Sequence, residues 1–380
     1  MSSQAYTPGL KRKAATLVQK TRKLPIPGSV LVKKGVTVKV DDVLARTFIP
    51  GKVHVVNVAG LLGIDVWDTS KHMLKKEVEK VEEKEPIALS KSFFGLFKKY
   101  IYAPATGIIE RVSDLTGQVI LREPPVPIEV DAYIPGKIVK VVPKEGAVVE
   151  TPAAFIQGIF GVGGERKGEI LMIAKSSDEV LTADRIQPEH NGKILIGGSL
   201  VEFTALQRAA AVGAKGIVVG GVEDGDLTRF LGYEIGVAIT GNEDIPFTLI
   251  ITEGFGKMNM SEKTFALLKE FDGRLASISG ATQIRAGVLR PEIIVPRPEL
   301  EDKEIVEREE EKEFVKQGLV PGTPIRVIRE PYFGALGVVV SLPVQLQWIE
   351  TESEVRVLEA ELEDGRRVVI PRANVEIIEE

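Results

Sequence analysis

"FIPGKVHVV", Phe48–Val56, sets a proline–glycine turn ahead of a run of alternating β-formers. The arrangement returns as "YAPATGIIERV" (Tyr102–Val112) and "YIPGKIVKVV" (Tyr133–Val142). Proline presets one backbone angle and glycine relaxes the next, so each pair marks a tight turn. A period-two run after such a turn is written as a strand. The 37 glycines and 22 prolines, with aromatics at only 6%, extend this reading to many short strands joined by tight turns. At roughly 150 residues per domain, 380 residues make two or three domains. The expected class is α+β, β-rich and multidomain.

Between Leu24 and Gly164 the chain resembles the barrel-sandwich hybrid fold, which biotinyl and lipoyl carriers share with a component of the Rnf electron-transport complex. In that family a "G-x-x-V-x-x-G-x-x-[IL]-A" strand precedes an "AP-x-x-G-x-[IV]" strand. Here "EKVEEKEPIA" precedes "YAPATGIIERV", with Glu and Lys where the family has Gly and Asp. The resemblance implies a hairpin that could carry a modifiable lysine. The matching segment, "ALSKSFFGLFKKYIY" (Ala88–Tyr102), is longer and flanks Lys91 with serines. Its apolar Phe93, Phe94 and Phe97, rimmed by Lys98 and Lys99, read as core or as a partner-docking patch.

"GIFGVGGERKGEI" (Gly158–Ile170) is glycine-rich but lacks the order of a phosphate-binding loop, and reads as a flexible inter-domain turn. Beyond His190 the style changes. "GKILIGG" is a strand and "VEFTALQRAAAVGA" (Val201–Ala214) a helix, with Gly213 suited to a left-handed cap. "KGIVVGG" and "FTLIIT" are buried-type strands. Ser261 is an N-cap for "EKTFALLKEF", and "RLASISG" is a closing strand. This order is similar to the swivelling β/β/α domains, nearest in pattern to the protease-associated domain, whose "A-x-x-x-G-A" also precedes a valine-rich strand. Non-catalytic binding is what that resemblance implies.

Charge is distributed unevenly around a formal net of −5. Residues 1–34 hold Lys11, Arg12, Lys13, Lys20, Arg22, Lys23, Lys33 and Lys34 with no acid, which reads as a solvated basic arm or an RNA contact. Glu299–Glu313 carries nine acids against three bases and reads as a charged linker. After it, "IRVIREPYFGALGVVV" resembles the KOW motif of NusG-like and ribosomal SH3-like barrels. Gly334, Gly337 and Phe333 stand where the motif places them, and Glu330 replaces a usual glycine. That family binds RNA or protein partners. Residues 319–380 hold six arginines against eleven acids, so the module is poorly charged for phosphate. Arg326, Arg329 and Tyr332 remain a candidate local RNA patch, with Phe333 beside them. Asp364-Gly365 marks a hairpin tip.

The absence of cysteine excludes disulfides, thiol nucleophiles and Cys-ligated zinc. No long apolar run reads as a membrane span or leader, so a cytoplasmic protein is expected. His54, His72 and His190 lack metal-ligand spacing. Glu223, Asp224 and Asp226 follow a buried strand and are weak candidates for a cation or small ligand, with a solvated loop as the plain alternative.

The resulting expectation is a basic arm (1–23), a barrel-sandwich hybrid (24–164), a swivelling α/β domain (165–295), an acidic linker (296–318) and a KOW-like SH3-type barrel (319–380). These folds serve mainly for binding, so a non-enzymatic scaffold with a protein partner and no cofactor comes first. An RNA- or ribosome-associated factor is the second reading. An enzyme or carrier component, with a ligand at Gly220–Asp226 or a modified Lys91, is the third. No DNA or membrane partner is expected.

Overall fold

The computed structural model describes residues 10–92, 97–233, 243, 245–282, 289–300, 319–329, 331–343, 345–349 and 353–379. The fold is β-rich α+β with several sheets. Among the described residues no helix is long and apolar enough to cross a membrane. The acidic stretch over 301–318 lies outside the described residues, as do Phe93 and Phe94.

The chain opens with β1 (Leu10–Lys23), the short β2 (Ser29–Val30) and β3 (Thr37–Val38), and β4 (Val43–Ile49). A complete unit then intervenes. It comprises β5 (Val53–Asn57), α1 (Val58–Leu62), α2 (Thr69–His72), β6 (Lys80–Val81), β7 (Pro86–Ser92), β8 (Phe97–Tyr102), β9 (Gly107–Ser113) and β10 (Gln118–Arg122). The first unit resumes with β11 (Val126–Asp131), β12 (Gly136–Val142) and β13 (Gly146–Gln157). Val126 on β11 lies opposite Ile49 on β4, so the chain leaves and re-enters that unit at adjacent positions. The inserted unit buries its own core of Ile87, Ile109, Val119 and Leu121. The core of the first unit is separate, built on Leu44, Ile134, Ile138 and Val149. Two disjoint cores make two folding units joined by a two-stranded neck.

β1 corrects the expectation of a loose basic arm. It runs antiparallel along β13 from Arg12 opposite Ile156 to Lys23 opposite Gly146. Thr16 and Val18 turn inward on alternate positions and are buried. The cations beyond them meet acids. Arg22 contacts Glu165 at 2.7 Å and Asp131 at 3.2 Å, and Lys23 contacts Glu145 at 2.6 Å. Lys20 pairs with Glu292 at 2.5 Å.

The α/β unit continues with β14 (Phe160–Val162), β15 (Glu165–Met172), β16 (Val180–Leu181), β17 (Lys193–Ile196), β18 (Leu200–Val201), α3 (Phe203–Val212) and β19 (Gly216–Val222). It ends with α4 (Asp224–Leu231), β20 (Thr248–Phe255), α5 (Glu262–Glu270), β21 (Leu275–Ser279) and β22 (Glu292–Pro296). β15, β17, β19 and β20 are parallel neighbours, while β21 and β22 return antiparallel to β13. β14, one turn after β13, pairs with β20, so the sheet comes back to the strand from which it started. The "flexible turn" at Gly158–Ile170 is therefore a correction: it is two strands with a sharp corner at Gly163 (φ 98°) and Gly164 (φ 64°).

Alternation explains the two cores of this unit. Leu195, Ile217, Val219 and Leu249 face α3 and α4, with Ala205, Leu206 and Leu227. Ile194, Ile196, Val218 and Ile250 face α5, with Phe265 and Leu268. Every residue of β19 is buried because both faces are covered, as its unbroken apolar sequence requires.

The last unit is β23 (Pro324–Val327), β24 (Leu336–Ser341), β25 (Leu346–Ile349), β26 (Ser353–Leu362), β27 (Arg367–Pro371) and β28 (Val375–Glu379). Its curled sheet runs β28–β23–β24–β26–β27 around Ile325, Val339, Leu358 and Ile370. β28 also pairs in parallel with the start of β1, Leu10 opposite Ile378, so the first strand ties both ends of the chain together.

Candidate functional site

The seam between the last unit and the α/β unit draws in several of the charged residues singled out by sequence. Ile325 and Val327 point into the core of the last unit, so Arg326 between them points the other way. That side is covered by protein instead of water. The Arg326 side chain is only 1% exposed, between Glu253 Oε2 and Glu376 Oε1, each at 3.9 Å. Arg290 reaches the same Glu376 at 2.7 Å. Two arginines and two glutamates thus share one buried site. Burial pushes the Arg326 guanidinium below its ordinary range; the two glutamates oppose that and Arg290 adds to it. Among the described residues, none places an acceptor within hydrogen-bond reach of the three Arg326 guanidinium nitrogens.

The network extends away from the seam. Glu253 Oε1 accepts from the Ser261 backbone N–H at 3.0 Å. The Ser261 hydroxyl caps α5 by accepting from Thr264 N–H, and also accepts from Arg12 Nη1 at 2.9 Å. Arg12, expected in a solvated arm, is a strut between β1 and α5. An open cleft of about 470 Å³ follows, lined by Arg12 and Lys263 together with Glu361 and Glu363.

The turn around Pro331–Gly334 folds onto this seam. A Cβ on Gly334 (φ 83°) would come within 2.2 Å of Met258 Cε, and one on Gly254 within 3.5 Å of Phe333 Cε1. Phe333 itself is half-exposed. The candidate RNA patch is thereby dispersed, a further correction: Arg326 is buried, Arg329 is exposed, and Tyr332 is half-buried beneath Arg366 at 5.6 Å. An arginine without solvent access cannot meet a phosphate.

The remaining candidates take structural places. Glu223 is the N-cap residue of α4, and Asp224 and Asp226 stand in its first turn, so they do not form an open loop. Asp226 accepts from Phe203 N–H at 3.2 Å, at the start of α3. Acids at helix N-termini complement the helix dipole. Among the described residues no three His, Asp or Glu side chains converge as a metal ion would need. His54 meets Glu123 at 2.6 Å, His72 Nδ1 donates to Asp68 O, and His190 Nδ1 accepts from Gln187 N–H. Lys11 donates through its backbone to Gln157, and Lys13 pairs with Phe155 along β13. Phe97 begins β8, and Lys91 on β7 is exposed opposite Lys98.

Sequence reasoning overlooked Glu253, Glu376 and Arg290, which are brought to Arg326 only by tertiary packing. It also overlooked the surface of β5. In "VHVV" the histidine and the last valine turn inward, while Val53 and Val55 are 46% and 57% exposed. β5 pairs with β10 on one side and, among the described residues, is an outer strand of its sheet. Beside it the neck exposes Phe48, Ile49 and Val126. No protein-family model matches the chain, and no curated protein sequence matches it.

Proposed function

We propose that the protein is a non-catalytic scaffold that binds a protein partner, an extended segment of which adds to the edge of β5. The observation that carries this reading is the inversion of β5: exposed Val53 and Val55 on an outer strand, with His54 turned inward. Edge strands are normally blunted by lysine, proline or a bulge, because unpaired N–H and C=O groups template further pairing. No lysine, proline or register shift interrupts Val53–Asn57. Strand addition takes its affinity from main-chain hydrogen bonds and its selectivity from alternate side chains. Full burial of a valine contributes roughly 1.5–3 kcal/mol. The exposed Phe48, Ile49 and Val126 extend the apolar area onto the neck.

The test is a tagged full-length protein purified from its own cells after RNase treatment, beside the variant Val53→Lys/Val55→Lys. A partner recovered in stoichiometric amount with the unaltered protein and lost with the variant supports the reading. A partner retained by the variant, or none recovered, overturns it.

A further inference from the structure

The two-stranded hairpin β7–β8 carries a second surface, distinct from the β5 edge. Ala88 and Ile101 lie opposite each other and are buried, which sets the inner face. By alternation Leu89, Lys91, Lys98, Tyr100 and Tyr102 share the outer face. Tyr100 and Tyr102 are 38% and 54% exposed, with ring centroids 6.2 Å apart and planes tilted by 35°. Lys91, Lys98 and Lys99 are exposed, and residues 86–102 contain no Asp or Glu in a chain of net charge −5. The nearest acid at the hairpin base, Glu85, is held by Lys75 at 2.7 Å.

We infer that this face binds single-stranded nucleic acid, the tyrosines stacking on successive bases and the lysines following the phosphates. Charge complementarity selects an anionic occupant. The tyrosine pair then favours one that also presents flat rings, which an acidic peptide does not. Aromatic platforms beside cations are how single strands are held without reading sequence. Neither Arg326 nor the cations of β1 take part, so the surface differs from the one expected from the KOW-like turn.

The experiment is fluorescence anisotropy of the full-length protein with a labelled oligouridylate of about a dozen nucleotides, over a salt series. Two phosphate contacts, from Lys91 and Lys98, predict a slope of log K against log salt of about −1.4. Tyr100→Ala/Tyr102→Ala, which removes two stacked bases, should weaken binding by roughly 30-fold or more, while Tyr100→Phe/Tyr102→Phe restores it. Lys91→Glu/Lys98→Glu should flatten the salt slope. An oligodeoxythymidylate distinguishes sources: preference for ribose assigns RNA, and equal binding leaves the shared chemistry as the ligand. Unchanged melting of the variants excludes unfolding. No binding at low salt, indifference to loss of the tyrosines, or equal displacement by polyglutamate would overturn the inference.

Discussion

Replacing Glu376 by glutamine removes one of the two carboxylates at the buried seam without changing its shape. Arg290 loses its ionic partner at 2.7 Å, and Arg326 one of two at 3.9 Å. Arg326 then has Glu253 alone, which is already engaged with Ser261 N–H. At a separation near 4 Å and an effective dielectric near 20, the lost Arg326 pair represents about 4 kcal/mol of gross attraction. Measured losses on breaking buried pairs run at roughly 3–5 kcal/mol. The amide oxygen can still accept from Arg290, so the lower end, about 3 kcal/mol, is expected. The chain has several units, so the readout must be local. In hydrogen exchange of the β23 and β28 amides, about 3 kcal/mol is a rate increase of roughly a hundredfold. The counterpart Arg326→Met/Glu253→Gln removes a cation and an anion together and should stay within about 1 kcal/mol of the unaltered protein, or exceed it. Exchange in Glu376→Gln within about tenfold of normal would show that the seam charges are not interdependent.

Arg22→Ala should weaken the local protection of the β1 amides in hydrogen exchange by roughly 1–3 kcal/mol and leave oligonucleotide affinity unchanged, since Arg22 is committed to Glu165 and Asp131. Tyr133 is buried at φ 64° and its phenol is raised well above its ordinary pKa, chiefly by that burial. Tyr133→Ala should therefore cost about 3–5 kcal/mol, and Tyr133→Phe less than about 1.5 kcal/mol. The Glu299 carboxyl, held by the Arg274 fork, is lowered from 4.5 to about 2. Its folded pKa is the depressed one, so its contribution is complete above 4.5 and is lost as pH falls towards 2. Carbon-13 titration should follow that fall, and Arg274→Ala should return the carboxyl towards its ordinary value.

The parts of the fold governed by local chemistry were legible in the sequence. Gly213 does end α3 in the left-handed conformation, Ser261 does cap α5, and Asp364-Gly365 does lie between β26 and β27. The unbroken apolar run of β19 announced a strand covered on both faces. Charge read without periodicity misled. "TLVQKTRK" alternates as a strand should, with Thr16 and Val18 inward, yet its cations suggested a solvated arm. Arg326 occupies an outward position that is solvent in an isolated sheet, and only the arrival of the α/β unit makes it interior. The face of β5 was hidden because hydrophobicity alone places valine inside, whereas pairing with β10 turns His54 and Val56 inward.

Whether the β5 edge receives a strand from a protein partner is read out by hydrogen exchange on the purified complex. Amides of Val53–Asn57 should become protected on binding, and the Val53→Lys/Val55→Lys variant should abolish both complex and protection. A stable complex in which those amides exchange as fast as in the free protein would contradict strand addition at that edge.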